Sequence, residues 1–134
     1  MKRLEAIIKN DKLSEAVGAV RGAGAKGVTV TTIKGQGSAD RPMVRSGRGT
    51  AQVQAEYNNM VSIMTIVEDS EVDAVISAIT ESTYTGKNGD GIVIVSDVNK
   101  VVNIASKQTD ESALWYQATI IFLIFLILNL ISGF

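Results

Sequence analysis

The chain has 134 residues and a mass of 14.3 kDa, with 13 Lys and Arg against 14 Asp and Glu and a pI near 5.4. That length fits one folded domain, and so even a charge balance argues against a nucleic-acid binder, which carries a strong basic excess. Neither cysteine nor histidine occurs, which excludes disulfide frameworks, thiolate metal sites, His-based triads and most zinc sites.

The first strand is expected over residues 2–9, apolar in the middle and partly alternating. Asp11 is positioned as the N-cap of a helix in which Leu13, Ala16, Val17 and Val20 share a face, and Gly22 and Gly24 end it. Val28, Val30 and Ile33, with threonines between them, make a second strand. Residues 35–54 are polar and glycine-rich and carry Arg41, Arg45 and Arg48. They hold few core formers, so they read as one long loop, a feature usually tied to function. A third strand follows over 60–67. Asp69 or Ser70 is expected to cap a second helix with Val72, Val75, Ile76 and Ile79 on its apolar face. Residues 85–91, Thr-Gly-Lys-Asn-Gly-Asp-Gly, form a tight glycine loop before a fourth strand over 92–95, and 98–104 is a short last element. The order βαββαβ is the split βαβ or ferredoxin-like α+β arrangement, with two helices on one face of the sheet. The other face needs cover, which in a domain this small points to an oligomer.

Every charged side chain lies at or before Glu111. The chain therefore divides into a domain over 1–112 and a hydrophobic tail over 113–134. Residues 120–128 are apolar on all sides, and Trp115 and Tyr116 stand where an interfacial aromatic pair would sit. The tail reads as a single membrane-spanning anchor, which places the protein at the cytoplasmic membrane, bound to the bilayer through 113–134 with its domain in the cytoplasm. The competing reading of the same pattern is a helix buried inside an oligomer.

Three stretches carry a family resemblance: residues 1–9 followed by Lys12 and Leu13; Gly27-Val28-Thr29-Val30-Thr31 leading to Lys34-Gly35-Gln36-Gly37; and the loop 85–91 at its place between the second helix and the fourth strand. Together they make segment 1–112 resemble the PII signal-transduction (nitrogen regulatory) proteins. The resemblance implies a homotrimer with nucleotide clefts between subunits. It also implies a long T-loop, here about 36–57, that docks on a membrane transporter, channel or enzyme in response to ATP and ADP. The matching positions for an adenine nucleotide are Thr29, Gly35, Gly37, Thr85, Gly86, Lys87, Gly89, Asp90 and Gly91. The partner-contact loop carries Arg41, Arg45, Arg48 and Thr50. On elementary chemistry, Gly86, Gly89 and Gly91 let main-chain amides approach a phosphate, and Lys87 adds a positive charge; the plain alternative is an ordinary tight turn.

Departures from the family pattern matter as much. A phosphate-loop lysine is matched by Ile92, and the C-terminal arginine pair that reaches a neighbour's phosphates falls at Asn103 and Ala105. Ser38, Ala39 and Asp40 stand where a glutamine used with magnesium and 2-oxoglutarate belongs, and Met60 replaces the lysine that pairs with the 2-oxoglutarate carboxylate. Each lost charge-assisted contact weakens a phosphate ligand by about 1.5–3 kcal/mol, and Arg41, Arg45 and Arg48 are the substitutes within reach of a mobile loop. The expectation is a divergent, membrane-anchored PII-like regulator that binds an adenine nucleotide (ATP, ADP, AMP or a cyclic form) more weakly, or one with fewer phosphates, without the usual 2-oxoglutarate response. Gln52 stands where some members carry a modified tyrosine. The alternative is a trimeric interaction scaffold without ligand. An enzyme is not expected, since no nucleophile–base pair is in view.

Overall fold

The computed structural model describes residues 1–47, 49, 51–114 and 126–131. Strand β1 (Lys2–Lys9) alternates cleanly, burying Leu4, Ala6 and Ile8 on one face. A 3₁₀ turn, Asn10–Lys12, leads directly into helix α1 (Leu13–Gly22). Asp11 therefore lies within the turn and caps nothing; the Leu13 N–H is satisfied by the Asn10 carbonyl instead. The helix closes in a Schellman motif, with Ala25 N–H on Val20 O and Gly24 N–H on Arg21 O, both at 3.2 Å. Strand β2 (Thr29–Gly35) follows. The expected long loop holds a small hairpin of its own, β3 (Met43–Arg45) against β4 (Gln52–Gln54). Strand β5 (Asn58–Val67) begins two residues before the expected start.

The second helix, α2 (Val72–Thr83), repeats the pattern of the first: the 3₁₀ turn Asp69–Glu71 precedes it, and no side chain caps it. Asp69 takes the Met1 amine at 2.9 Å instead. Strand β6 (Gly91–Asp97) completes the order. The expected last element over 98–104 contains no strand, only an isolated bridge between Val102 and Thr109.

The sheet order is β2-β5-β1-β6, with every neighbouring pair antiparallel. This is the mixed α+β arrangement expected from the element order. Both helices contribute to one core, Ala16 and Val20 from α1 and Val75 and Ile79 from α2, against Leu4, Ala6, Ile8, Val61, Ile63 and Val67 of the sheet. Fully burying each Val, Leu or Ile among them contributes about 1.5–3 kcal/mol. By alternation and register, the opposite face carries Ile7, Met60, Met64, Ile92 and Ile94, of which Ile92 and Ile94 are exposed. Past β6, Asn103 organises the chain. Its Oδ1 accepts the Ala105 and Ser106 amides, each at 3.1 Å, and its Nδ2 donates to Ala113 O at 3.2 Å. Ala113 is itself buried.

The expected membrane location is corrected here. Among the described residues, no helix is long and apolar enough to cross a membrane. The described helical residues beyond 110 are 111–114 and 126–131, whereas a crossing needs about twenty continuous residues to rise through some 30 Å of hydrocarbon. The aromatic pair Trp115 and Tyr116 and most of the apolar run lie outside the described residues.

Candidate functional site

Antiparallel pairing brings four chain connections to one end of the sheet. The register sets Lys9 beside Met60, Gly35 beside Asn58, and Gly91 beside Ile8. The turn after β1, the segment after β2, the return into β5 and the glycine loop before β6 therefore converge. Between them lies a cleft in two lobes. One, of about 560 Å³, is lined by Lys9, Asn10, Asp11, Asp40 and Asn59 among others. The other, of about 510 Å³, is lined by Gly35, Gly37, Asp90, Gly91 and Ile92. Both lobes share Ser38, Ala39, Asn58, Met60, Lys87, Asn88 and Gly89. Either volume lies within the range of about 300–1,000 Å³ usual for small-molecule sites.

Asp90 is the organising residue of the glycine loop. Its carboxylate accepts the Thr85 N–H at 2.7 Å, the Gly86 N–H at 3.0 Å and the Thr85 hydroxyl, and pairs with Lys9 Nζ at 3.3 Å. These donors, led by the Thr85 hydroxyl and the Thr85 amide, hold its pKa far below the usual carboxylate range. The carboxylate thus occupies the amides that open the loop, and the Lys87 N–H is taken by the Thr85 hydroxyl at 3.3 Å. Gly89, at φ +94°, sits so close to the segment after β2 that a Cβ there would fall 2.8 Å from the Ala39 Cβ. That contact joins the glycine loop to the base of the hairpin.

Of the residues expected in the site, Gly35, Gly37, Lys87, Gly89, Asp90 and Gly91 meet at the cleft. Thr85 and Gly86 frame it through Asp90. Thr29 does not meet them: it pairs with Met64 at the other end of β2, on the uncovered face of the sheet. Arg41 does not turn toward the cleft. Its guanidinium donates to Glu56 O and to Gln54 Oε1, each at 3.2 Å, and Gln36 also donates to Glu56 O at 2.9 Å. Arg41 is thus engaged by the hairpin stem in this structure. Arg45 lies on β3, opposite Gln52. Arg48 and Thr50 lie outside the described residues. Ile92 and Met60 present apolar side chains to the cleft.

The model of the family described as nitrogen regulatory protein P-II matches residues 1–108. The chain belongs to the P-II family. It is similar to the nitrogen regulatory protein P-II of Azospirillum brasilense, 38% identical over 114 residues that cover 85% of this chain and 100% of that protein. The P-II protein of Cereibacter sphaeroides is 36% identical over 113 residues, 84% of this chain and 99% of its own. Nitrogen regulatory protein GlnK of Escherichia coli is 34% identical over 114 residues, with 85% and 100% covered. This P-II chain is accordingly a signalling and regulatory protein. Its cleft is also lined by Lys9, Asn58 and Asn59, which the sequence did not single out, and by Asp11, Asp40 and Asn88, which it did not assign to the site. Only the register of β1 against β5 and β6 brings them to the same end of the sheet.

Proposed function

We propose that this chain assembles as a homotrimer and binds an adenine nucleotide in the cleft at Lys87, Asn88 and Gly89. The hairpin over 36–57 then presents the bound state to a partner protein. The observation that carries this reading is the Ala39–Gly89 contact. A ligand held by the glycine loop touches the segment that leads into the exposed Met43, Val44 and Val53 of the hairpin. Ligand occupancy and hairpin position are then coupled by direct contact. The uncovered sheet face with Ile7, Met60, Met64, Ile92 and Ile94 supports assembly, since apolar surface of that kind is stabilised by burial against copies of itself. Thr29 on that face would then approach the cleft of a neighbouring copy. The partner class implied by the resemblance is a membrane transporter. With Met60 in place of a lysine, 2-oxoglutarate is not a ligand in this reading.

One observation favours a second reading, a trimeric interaction scaffold without ligand: the Asp90 carboxylate already satisfies the opening amides of the glycine loop. Light scattering of the purified chain, with calorimetric titration of adenine compounds and 2-oxoglutarate, separates the two. A trimer that binds one or more adenine compounds supports the first reading. A trimer that binds none supports the second, and a monomer removes both.

A further inference from the structure

The sheet face turned away from the helices is mostly apolar, with Ile7, Met60, Met64, Ile92 and Ile94. Of the strand residues on that face, only Arg3, Glu5 and Lys9 are charged. Lys9 lies at the cleft end, paired with Asp90 at 3.3 Å. Arg3 and Glu5 stand away from it, two positions apart on β1, which is an inner strand of the order β2-β5-β1-β6. The register sets Arg3 between Ile66 of β5 and Ser96 of β6, and Glu5 between Met64 and Ile94. Arg3 Nη2 donates to Glu5 Oε2 at 2.8 Å, and the two side chains are 38% and 25% exposed. Each copy thus presents one positive and one negative charge that already answer each other, on an inner strand and not at the rim of the face. Any layer that covers Met64 and Ile94 covers this pair as well.

While exposed, an ion pair of this kind contributes little to stability. Under a second layer it behaves differently. The two charges leave water together, and removing either one strands the other in an apolar interface, which is strongly unfavourable; replacing both by apolar side chains of similar volume is neutral or favourable. We infer that the Arg3–Glu5 pair is the charge determinant of self-assembly: each copy neutralises its own charges before it docks, so the face accepts a second copy of this chain and rejects one with a lone charge at either position. This deepens the homotrimer reading above and rests on it. Because the pairing lies within one chain, assembly needs no ion pair between subunits at these positions. A copy that is apolar at both positions should therefore mix with unmodified copies without preference.

The test is sedimentation of the full chain across a dilution series, in one fixed sub-denaturing urea concentration, for the unmodified protein and for R3M, E5M and R3M/E5M. Circular dichroism in the same urea confirms that each variant is folded. R3M and E5M should each raise the concentration of half-dissociation about tenfold or more, while R3M/E5M stays within about threefold of the unmodified chain or assembles more tightly. Native mass spectrometry of the unmodified chain mixed with R3M/E5M should give a binomial distribution of mixed trimers. Single variants that assemble as well as the unmodified chain overturn the inference, and so does a double variant whose loss equals the sum of the two single losses. Segregation of the two mixed chains into separate trimers also overturns it, since Arg3 and Glu5 would then answer charges on a neighbouring copy. In each of these cases the homotrimer reading stands. An unmodified chain that stays monomeric across the series without urea removes that reading, and the inference with it.

Discussion

Gly91 is the position at which the smallest substitution should do most damage. It opens β6, pairs with Ile8 of β1 and holds φ at +118°. A Cβ added there would lie 1.9 Å from the Ile7 carbonyl oxygen and 2.9 Å from its carbon. Both neighbours are backbone, so no flexible side chain can swing aside. For an L-residue, that φ alone costs about 1–3 kcal/mol. Moving the Cβ out to an ordinary separation of about 3.5 Å displaces the strand by roughly 1.5 Å. One or two β1–β6 hydrogen bonds are then lost at about 1 kcal/mol each. Gly91→Ala should therefore destabilise the fold by about 2–5 kcal/mol, a large share of the 5–15 kcal/mol that typically holds a domain together. Gly18→Ala is the control. Gly18 sits inside α1 with nothing within 4 Å of its built Cβ, so alanine there should stabilise by about 0.5–1 kcal/mol. Urea unfolding at one fixed protein concentration measures both. A loss below about 1 kcal/mol for Gly91→Ala, with amide exchange along β6 unchanged, would refute the steric argument.

Three further expectations follow from other contacts. The Asp90 pKa is depressed in the folded chain, so its contribution to stability is fully present above its unfolded value of 3.8 and is lost as pH falls below that toward the folded value; Asp90→Asn should flatten this acid limb in pH-dependent melting, and an identical limb in the variant would contradict the assignment. Asn103→Ala removes three hydrogen bonds that shape the C-terminal turn; it should cost about 1–3 kcal/mol and accelerate hydrogen exchange at the Ala105 and Ser106 amides. Arg41→Ala releases the hairpin stem from Gln54 and Glu56; exchange at Ala55 N–H, which donates to Pro42 O at 2.7 Å, should quicken while the melting temperature of the core stays within about 2 °C.

Local pattern carried much of the architecture. The periods of α1 and α2 were legible because Ala16, Val20, Val75 and Ile79 recur at helical spacing and are buried together. Alternation marked β1, whose even-numbered residues from Leu4 to Ile8 enter the core. The capping residues were misread, since Asp11 and Asp69 look like N-caps in isolation. In the fold, each helix starts through a 3₁₀ turn that satisfies its own backbone, which leaves Asp69 available to Met1. The β3–β4 hairpin was hidden because three-residue strands are too short to show a period against a polar, glycine-rich background.

Composition and order along the chain sufficed to exclude cysteine and histidine chemistry, to lay out βαββαβ and to mark residues 85–91 as the loop of interest. Tertiary structure alone decided which charges face one another there. Lys9 and Asp90 are eighty-one positions apart and become partners through the antiparallel register of β1 with β6. The same register brings Asp11 and Asp40 to the rim of one cleft and sends Thr29 to the far end of its strand. Backbone hydrogen bonding responds to neighbours a few residues away, so its pattern can be read in a line of text. Electrostatic recognition depends on distances through space, which exist only once the strands have paired.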